Sequence, residues 1–493
     1  MEENNGNSGN IAEELFEQAD HDEETVVDTN AGAKDGQEKC PKCGSTDISL
    51  NVATGKLRCN FCRHEFEPQA ASGLETDVSK LKGKIIGAGA QNIQADTDDI
   101  ITIKCESCGA EVVIDTSEAT QARCHWCRNM LSLKKQIPNG SIPDVVLPFS
   151  VKKAEATGEI KKFVNSRKFF AHPTFKKEFT TDNVMGVYFP YMLVDVNGKA
   201  EFIGEGEHLV RKYQVGSGDD KEDRYDADLY HVERKFDIAI KELSIESSAD
   251  KLDKRNKDKT TNIINSIMPF DTEHCVKWNA NYLKGYTSEK RDTNIEQLEN
   301  VVMAQSRDIA KFKINNTLKK YDRGVRWDKK DLHVEGQQWK AAYLPVWLYS
   351  YQQKKKGKSL LHYVAVNART KETMGSVPIN MAKLWLFTAI MEIIGVLLMF
   401  FVDLGEDSKY QLAFLLPGVL FFAAMYTRYR NANARHTYEF ETESDVTDMV
   451  KRDDFIKHKY GLKEEMMCGA NNKELEGESK NLIAGLVKNV KKP

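Results

Sequence analysis

The chain has 493 residues, with 70 Lys and Arg against 74 Asp and Glu, a formal net charge of -4, and 10 cysteines. Such a length allows about three domains, and the near-balance of charge excludes a global basic field that would gather nucleic-acid phosphates. Eight of the cysteines fall in CxxC pairs, leaving Cys275 and Cys468 as ordinary thiols, so the expected compartment is reducing and a disulfide framework is excluded.

Residues 1–39 are acidic and polar, with only Lys34 and Lys39 basic. They show no charged-then-apolar signal peptide, cannot bury a core, and are expected to be disordered. Within them Ile11 to Gln18 (IAEELFEQ) reads either as an amphipathic turn or two for a partner or as more solvated tail.

Two CxxC pairs follow, Cys40/Cys43 and Cys59/Cys62, with 15 residues between them. Each pair in a tight turn aims two thiolates at one point, and four sulfurs make a closed tetrahedral site suited to Zn²⁺, with bonds of about 2.3 Å and no open position for water. The pattern recurs 65 residues later at Cys105, Cys108, Cys124 and Cys127. The repeated register predicts two structural Zn²⁺ ions in tandem zinc ribbons over 40–68 and 101–135, joined by a linker over 69–100. Gly44 and Gly109 follow the second cysteine of each opening knuckle, where positive φ is often needed. His64 and His125 lie beside the knuckles as surface or outer-sphere groups rather than ligands, since four sulfurs already complete each site.

Next comes a loose repeat, read as α+β units over 143–260 and 261–380. The first copy opens at VVLPFS (Val145 to Ser150), passes a helix with Ile160, Phe163 and Val164 on one face, and reaches Tyr188, Pro190 and Leu193. The second opens at IMPFD (Ile267 to Asp271), passes a long helix, and reaches Tyr343, Pro345 and Leu348. Each copy is expected to be a helix followed by an antiparallel meander, with Asn197-Gly198 as a hairpin turn and the aromatic residues in the core. Residues 216–226 and 249–260 read as charged, exposed loops.

Leu384 to Val402 is 19 residues with the single charge of Glu392, and Gln411 to Thr427 is a second apolar run. They are expected to form a two-helix transmembrane hairpin over 384–427. Arg369, Lys371 and Lys383 precede it and Arg428, Arg430 and Arg435 follow, whereas Lys409 is the only basic residue of the connecting loop, which puts both termini in the cytoplasm. Glu392 is expected to be protonated or to meet a polar group on another chain. Residues 428–493 read as a cytoplasmic tail whose end, Asn481 to Pro493, is basic and either lies on anionic lipid or simply ends a helix.

The tandem ribbons, the PF and YxPxxL cores, the strand-turn-strand segment VAVNARTKETMGSVP and the apolar hairpin together resemble the bacterial membrane proteins that carry a transcription-factor-IIB-type zinc ribbon. The resemblance covers roughly Cys40 to Arg435. It implies a scaffold or recruiting role at the cytoplasmic membrane face, beside phage-shock-type (PspA/ESCRT-III-like) and flotillin-like (SPFH) proteins.

Enzyme chemistry finds no support. No GxxxxGK[ST] occurs, since Gln352 stands where the glycine before Gly357-Lys358-Ser359 should be, and GAGA (Gly87 to Ala90) is not GxGxxG. No HExxH or GxSxG appears. The expectation is a non-enzymatic, membrane-anchored adaptor whose knuckle residues Lys42, Phe61, His125 and Trp126 meet cytoplasmic or membrane-associated proteins, with homo-oligomerisation left open. The alternative is a membrane-tethered nucleic-acid-binding or transcription-regulatory protein.

Overall fold

In chain order the strands are β1 (Glu24–Val27), β2 (Ile48–Asn51), β3 (Lys56–Cys59), β4 (Glu65–Phe66), β5 (Gly83–Gly87), β6 (Ile100–Lys104), β7 (Glu111–Asp115), β8 (Ala122–Arg123), β9 (Met130–Leu131) and β10 (Gln136–Ile137). There follow β11 (Val145–Val146), β12 (Met185–Val215), β13 (Glu222–Glu246), β14 (Val276–Lys277), β15 (Thr287–Glu289), β16 (Val325–Lys355), β17 (Lys358–Asn367), β18 (Thr373–Gly375) and β19 (Ser444–Lys463). Among the described residues the α-helices are α1 (Lys153–Asn165), α2 (Pro173–Glu178), α3 (Ile295–Ile314), α4 (Met381–Phe401) and α5 (Pro417–Tyr429). The computed structural model describes residues 24–27, 29, 40–45, 48–69, 74–93, 100–104, 111–115, 122–123, 126, 130–131, 136–137, 143–216, 221–248, 264–278, 280–283, 285–289, 291–355, 358–401, 416–429 and 438–463. The fold is mixed α+β, with few helices around a large sheet.

The sheet is built on β12 and β16, which pair antiparallel from Met185↔Leu348 to Gly206↔Val325. Each has 31 residues, an extended length of roughly 100 Å. From Gly186 to Gly198 both faces of β12 are covered, and the near-continuous apolar run Val187 to Val194 satisfies that environment. From Ala200 to Gly206 burial alternates, so only one face of this outer stretch is covered. β13 lies on the other side of β12 and β19 beyond it, while β17 and β18 extend the sheet from β16.

The repeated YxPxxL units meet at the centre of this pair. Tyr188 stands opposite Pro345, Pro190 opposite Tyr343, and Phe189 opposite Leu344. Phe189 and Leu344 are also equivalent positions of the repeat, 155 residues apart like Tyr188 and Tyr343. A local two-fold axis therefore passes through that pair. Hairpin β12–β13 corresponds to hairpin β16–β17, with Tyr191↔Glu246 matching Val346↔Asn367. The helices cross over: α1 of the first copy packs on β17 and β18, and α3 of the second packs on β13. Ile160, Phe163 and Val164 of α1 are buried as its apolar spacing requires.

Several expectations are corrected by this pairing. Asn197-Gly198 is no hairpin turn; both residues lie inside β12, hydrogen-bonded on both sides. Asn197 donates through Nδ2 to the carbonyls of Ser79 and Leu81 at 3.0 Å each, and a Cβ on Gly198 would lie 2.5 Å from the His333 carbonyl. The glycine serves a close backbone approach at an irregularity in register. Residues 24–27 of the expected disordered tail form β1 alongside β5, and the expected linker contributes β5, which pairs with Gly336 to Trp339 of β16. Of the loop read over 216–226, residues from Glu222 belong to β13, and Asp226 is buried against Arg211, Tyr213 and the Gly461 N–H. The loop read over 249–260 lies outside the described residues.

The expected tail after the apolar segment returns to the sheet as β19. Val446 and Met449 join the core around α3, Tyr438 donates to the Ser244 carbonyl at 2.7 Å, and Arg234, itself buried, pairs with Asp453 at 2.9 Å. Three register shifts in β19 break the period-two alternation, which is why it reads as an unpatterned charged stretch. Asn481 to Pro493 and Ile11 to Gln18 lie outside the described residues.

Among the described residues one helix, α4, is long and apolar enough to cross a membrane. The second apolar stretch, expected to be a shorter span kinked at Pro417, is described only as the 13-residue α5, which begins at that proline. The two helices pack together, and the Glu392 carboxylate accepts a hydrogen bond at 3.0 Å from the Gly418 N–H in the first turn of α5. An orphan amide of a helix N-terminus thus answers Glu392 within the same chain, where protonation or a polar group on another chain was expected. A Cβ on Gly418 would lie 2.4 Å from that carboxylate. Glu392→Leu and Gly418→Ala are each expected to destabilise the helix pair by about 1–3 kcal/mol, while Glu392→Gln, which keeps an acceptor, stays near wild type. Thermal unfolding in mild detergent measures the three.

Candidate metal centre

The first cysteine set comes together in three short strands. β2 pairs with β3 and β3 with β4, placing Cys40 before the sheet, Cys59 at the end of β3 and Cys62 in the turn that follows. All four Sγ atoms lie within 4.8 Å of one another, with Cys40–Cys62 and Cys43–Cys59 at 3.6 Å. A tetrahedron with metal–sulfur bonds of about 2.3 Å has corners about 3.8 Å apart, so the spacing fits a four-coordinate ion. No disulfide forms among the described residues.

The two knuckles are built alike. Gly44 N donates to the Cys40 carbonyl at 2.8 Å and Cys40 N to the Ser45 carbonyl at 2.9 Å; Arg63 N donates to the Cys59 carbonyl at 3.0 Å and Cys59 N to the His64 carbonyl at 2.9 Å. Gly44 has φ +74° as expected, but the equivalent Arg63 has φ +62° with a side chain to accommodate. In the second cysteine set the same two positions are Gly109 and Arg128. Cys105, Cys108, Cys124 and Cys127 themselves lie outside the described residues, as does His125. His64 stacks on Phe66, with ring centroids 6.0 Å apart.

Backbone N–H groups of Cys62 and Phe61 pull the Cys59 thiol down to about 6. The Ser45 N–H also pulls on Cys43, but partial desolvation and the neighbouring thiols of Cys62, Cys59 and Cys40 outweigh it and push that thiol up to about 12. Without an ion the cluster therefore keeps protons that a metal must displace, and metal affinity falls with pH, steeply once Cys59 reprotonates below about 6.

One side of this small domain is anchored. Ile48 and Leu57 are fully buried, and with Leu50 and Phe66 they join the core cluster that contains Trp278, Tyr282 and Leu283. The opposite side holds Lys42 and Phe61 in solvent, Phe61 at 80% exposure. Of its cations, Lys56 pairs with Glu67 at 2.7 Å and Arg58 with Glu65 at 3.9 Å, while Lys42 and Arg63 form no ion pair among the described residues.

Trp126 occupies the position 65 residues after Phe61 and was expected to face a partner. It is instead buried at 5% exposure, edge-on to Phe189 at 5.9 Å and Tyr363 at 5.2 Å. The slot exists because the two-fold brings those strands together, which local sequence does not reveal. Strands β6 and β7 of the second ribbon segment join the main sheet through β15, with Ser288 opposite Val113. No family model matches the chain, and no curated protein or solved structure does either.

Replacing Cys59 by Ser is expected to lower bound metal by one equivalent and to unfold the first ribbon while leaving the main sheet intact. Metal analysis together with a chromophoric chelator titration between pH 8 and about pH 5 measures the stoichiometry and the release on acidification.

Proposed function

We propose that the chain is a non-enzymatic, membrane-anchored adaptor in which two zinc-stapled ribbons, at Cys40/Cys43/Cys59/Cys62 and Cys105/Cys108/Cys124/Cys127, display a recruiting surface at the cytoplasmic face. The observation that carries this reading is the contrast between two equivalent knuckle rings. Trp126 fills an aromatic slot of the body, whereas Phe61 stands free on a rigid, anchored ribbon. An exposed aromatic ring on a preorganised support is the usual core of a protein-binding hot spot. The chain's near-balance of charge and the pairing of Lys56 and Arg58 with acids favour a protein partner over nucleic acid.

Chain connectivity supports the membrane anchor as a two-pass element. β17 and β18 lead into α4, β19 follows α5, and both flanks belong to one sheet. A chain that leaves by α4 through a bilayer must return, so the number of crossings is even. At 21 residues α4 rises about 31 Å, enough for one crossing, and the return is assigned to the stretch that contains α5. Partners are sought among cytoplasmic and membrane-associated proteins, with the PspA/ESCRT-III-like and SPFH/flotillin-like classes first.

The test is a mild-detergent pull-down of tagged wild type and Phe61→Ser from membranes, each with and without nuclease. Specific proteins retained by wild type through nuclease and reduced at least about tenfold by Phe61→Ser, the loss expected for one hot-spot ring, support the adaptor. Nucleic acid that co-purifies and carries those proteins with it contradicts it.

A further inference from the structure

Where the apolar helices meet the globular body, Arg167, Lys383 and Arg428 gather from three chain segments, with Lys168 next to Arg167 in the chain, and no acid among the described residues pairs them. The turn Ser166 to Phe170 follows α1 and wedges between the start of α4 and the end of α5. Arg167 Nε donates to the Arg428 carbonyl at 3.0 Å, and Arg428 Nη2 to the Ser166 carbonyl at 3.4 Å. Lys383 Nζ donates to the Phe169 carbonyl at 3.0 Å and sits 3.5 Å from the centre of the Phe169 ring. Arg167 lies over the Phe163 ring at 3.6 Å. Among the described residues none of Arg167, Lys168, Lys383 and Arg428 forms an ion pair, although most cations of the sheet do. Burial and the adjacent Arg428 pull the Arg167 guanidinium down to about 10, as expected for two like charges held together without a counter-ion.

The surroundings are aromatic. Phe170 packs on Phe387 at 5.5 Å and Phe421 at 6.1 Å, and its N–H donates to the Tyr429 hydroxyl at 3.0 Å. Phe169, under Lys383, is left 54% exposed, and Trp385, two residues after Lys383 and packed on Phe422 at 4.7 Å, is 58% exposed. Exposed rings alternating with unpaired cations at the end of an apolar helix is the chemistry of a bilayer interface with acidic headgroups. A soluble phosphate would account for the cations but leave the rings without a purpose.

We propose that Arg167, Lys168, Lys383 and Arg428 form a binding site for the phosphate of an anionic phospholipid, with Phe169 and Trp385 seated among the adjoining acyl chains. The proposal rests on the membrane-spanning assignment of α4. Bound lipid bridges the body to both helices and so fixes the height of the ribbons above the bilayer.

The experiment uses the full chain in vesicles of phosphatidylcholine with or without phosphatidylglycerol, and in phosphatidylcholine with inorganic phosphate. Thermal unfolding is followed, and alkaline extraction and bound metal are measured alongside. Phosphatidylglycerol is expected to raise the unfolding temperature by several degrees and phosphate to leave it unchanged. Arg167→Gln/Arg428→Gln and, separately, Lys168→Gln/Lys383→Gln lose most of that shift, while Arg167→Lys/Arg428→Lys keeps it; all remain in the membrane with full metal content. An undiminished shift in both glutamine pairs, or an equal shift from inorganic phosphate, overturns the lipid site while the membrane assignment stands. Extraction of the wild type by alkali overturns the membrane assignment and the lipid site together.

Discussion

The antiparallel pairing of β12 with β16, centred on Phe189 opposite Leu344, is the constraint on which the molecule depends. Because those residues are also repeat equivalents, each half of the chain completes the other. Neither helix lies over its own hairpin alone: α1 covers the outer strands of the second copy, and α3 those of the first. The slot for Trp126 is likewise shared, Phe189 coming from one copy and Tyr363 from the other. The same sheet collects both flanks of the apolar helices, so one pairing holds the two ends of that segment together.

Buried polar groups fix what the sheet alone leaves free. Asp144 is fully buried and accepts from Thr29 Oγ1, from Gly89 N at 2.7 Å and from Ala341 N at 2.8 Å, tying the N-terminal segment and the GAGA turn to β16. Burial raises its pKa, and the three donors and Arg291 work against that rise. GAGA is thus a carboxylate cradle inside the fold rather than a nucleotide loop. At the irregularity between Val194 and Val196, Lys340 reaches Asp195 at 3.1 Å and Glu242 at 3.2 Å. Burial works to strip its proton, but the two carboxylates outweigh it and hold it above the ordinary lysine range. A buried charged group with two partners specifies one arrangement of the three strands, since any slip would leave it unpaired.

What the sequence made legible follows the range of each interaction. The first cysteine set assembles as its spacing predicts, because a CxxC knuckle is closed by hydrogen bonds within five residues. The YxPxxL repeat and the amphipathic face of α1 were readable for the same reason. Asn197-Gly198 misled because a turn signal was overridden by strands pairing on both sides, and Trp126 misled because its slot is made by distant residues. β19 was hidden by its bulges. Arg63 in the left-handed region had one available signal, its recurrence at Arg128, as did the paired positions of Phe61 and Trp126.

Central to this account is one sheet, holding both flanks of the apolar helices, on a single side of a membrane. Position-specific labelling by an impermeant maleimide addresses it directly, using Ser408→Cys between the apolar stretches and Tyr460→Cys on β19, where the native ring is 73% exposed. In intact cells, with outer barriers removed, Ser408→Cys is expected to gain label and Tyr460→Cys to gain it only after lysis. Labelling of both positions under the same condition would contradict the account.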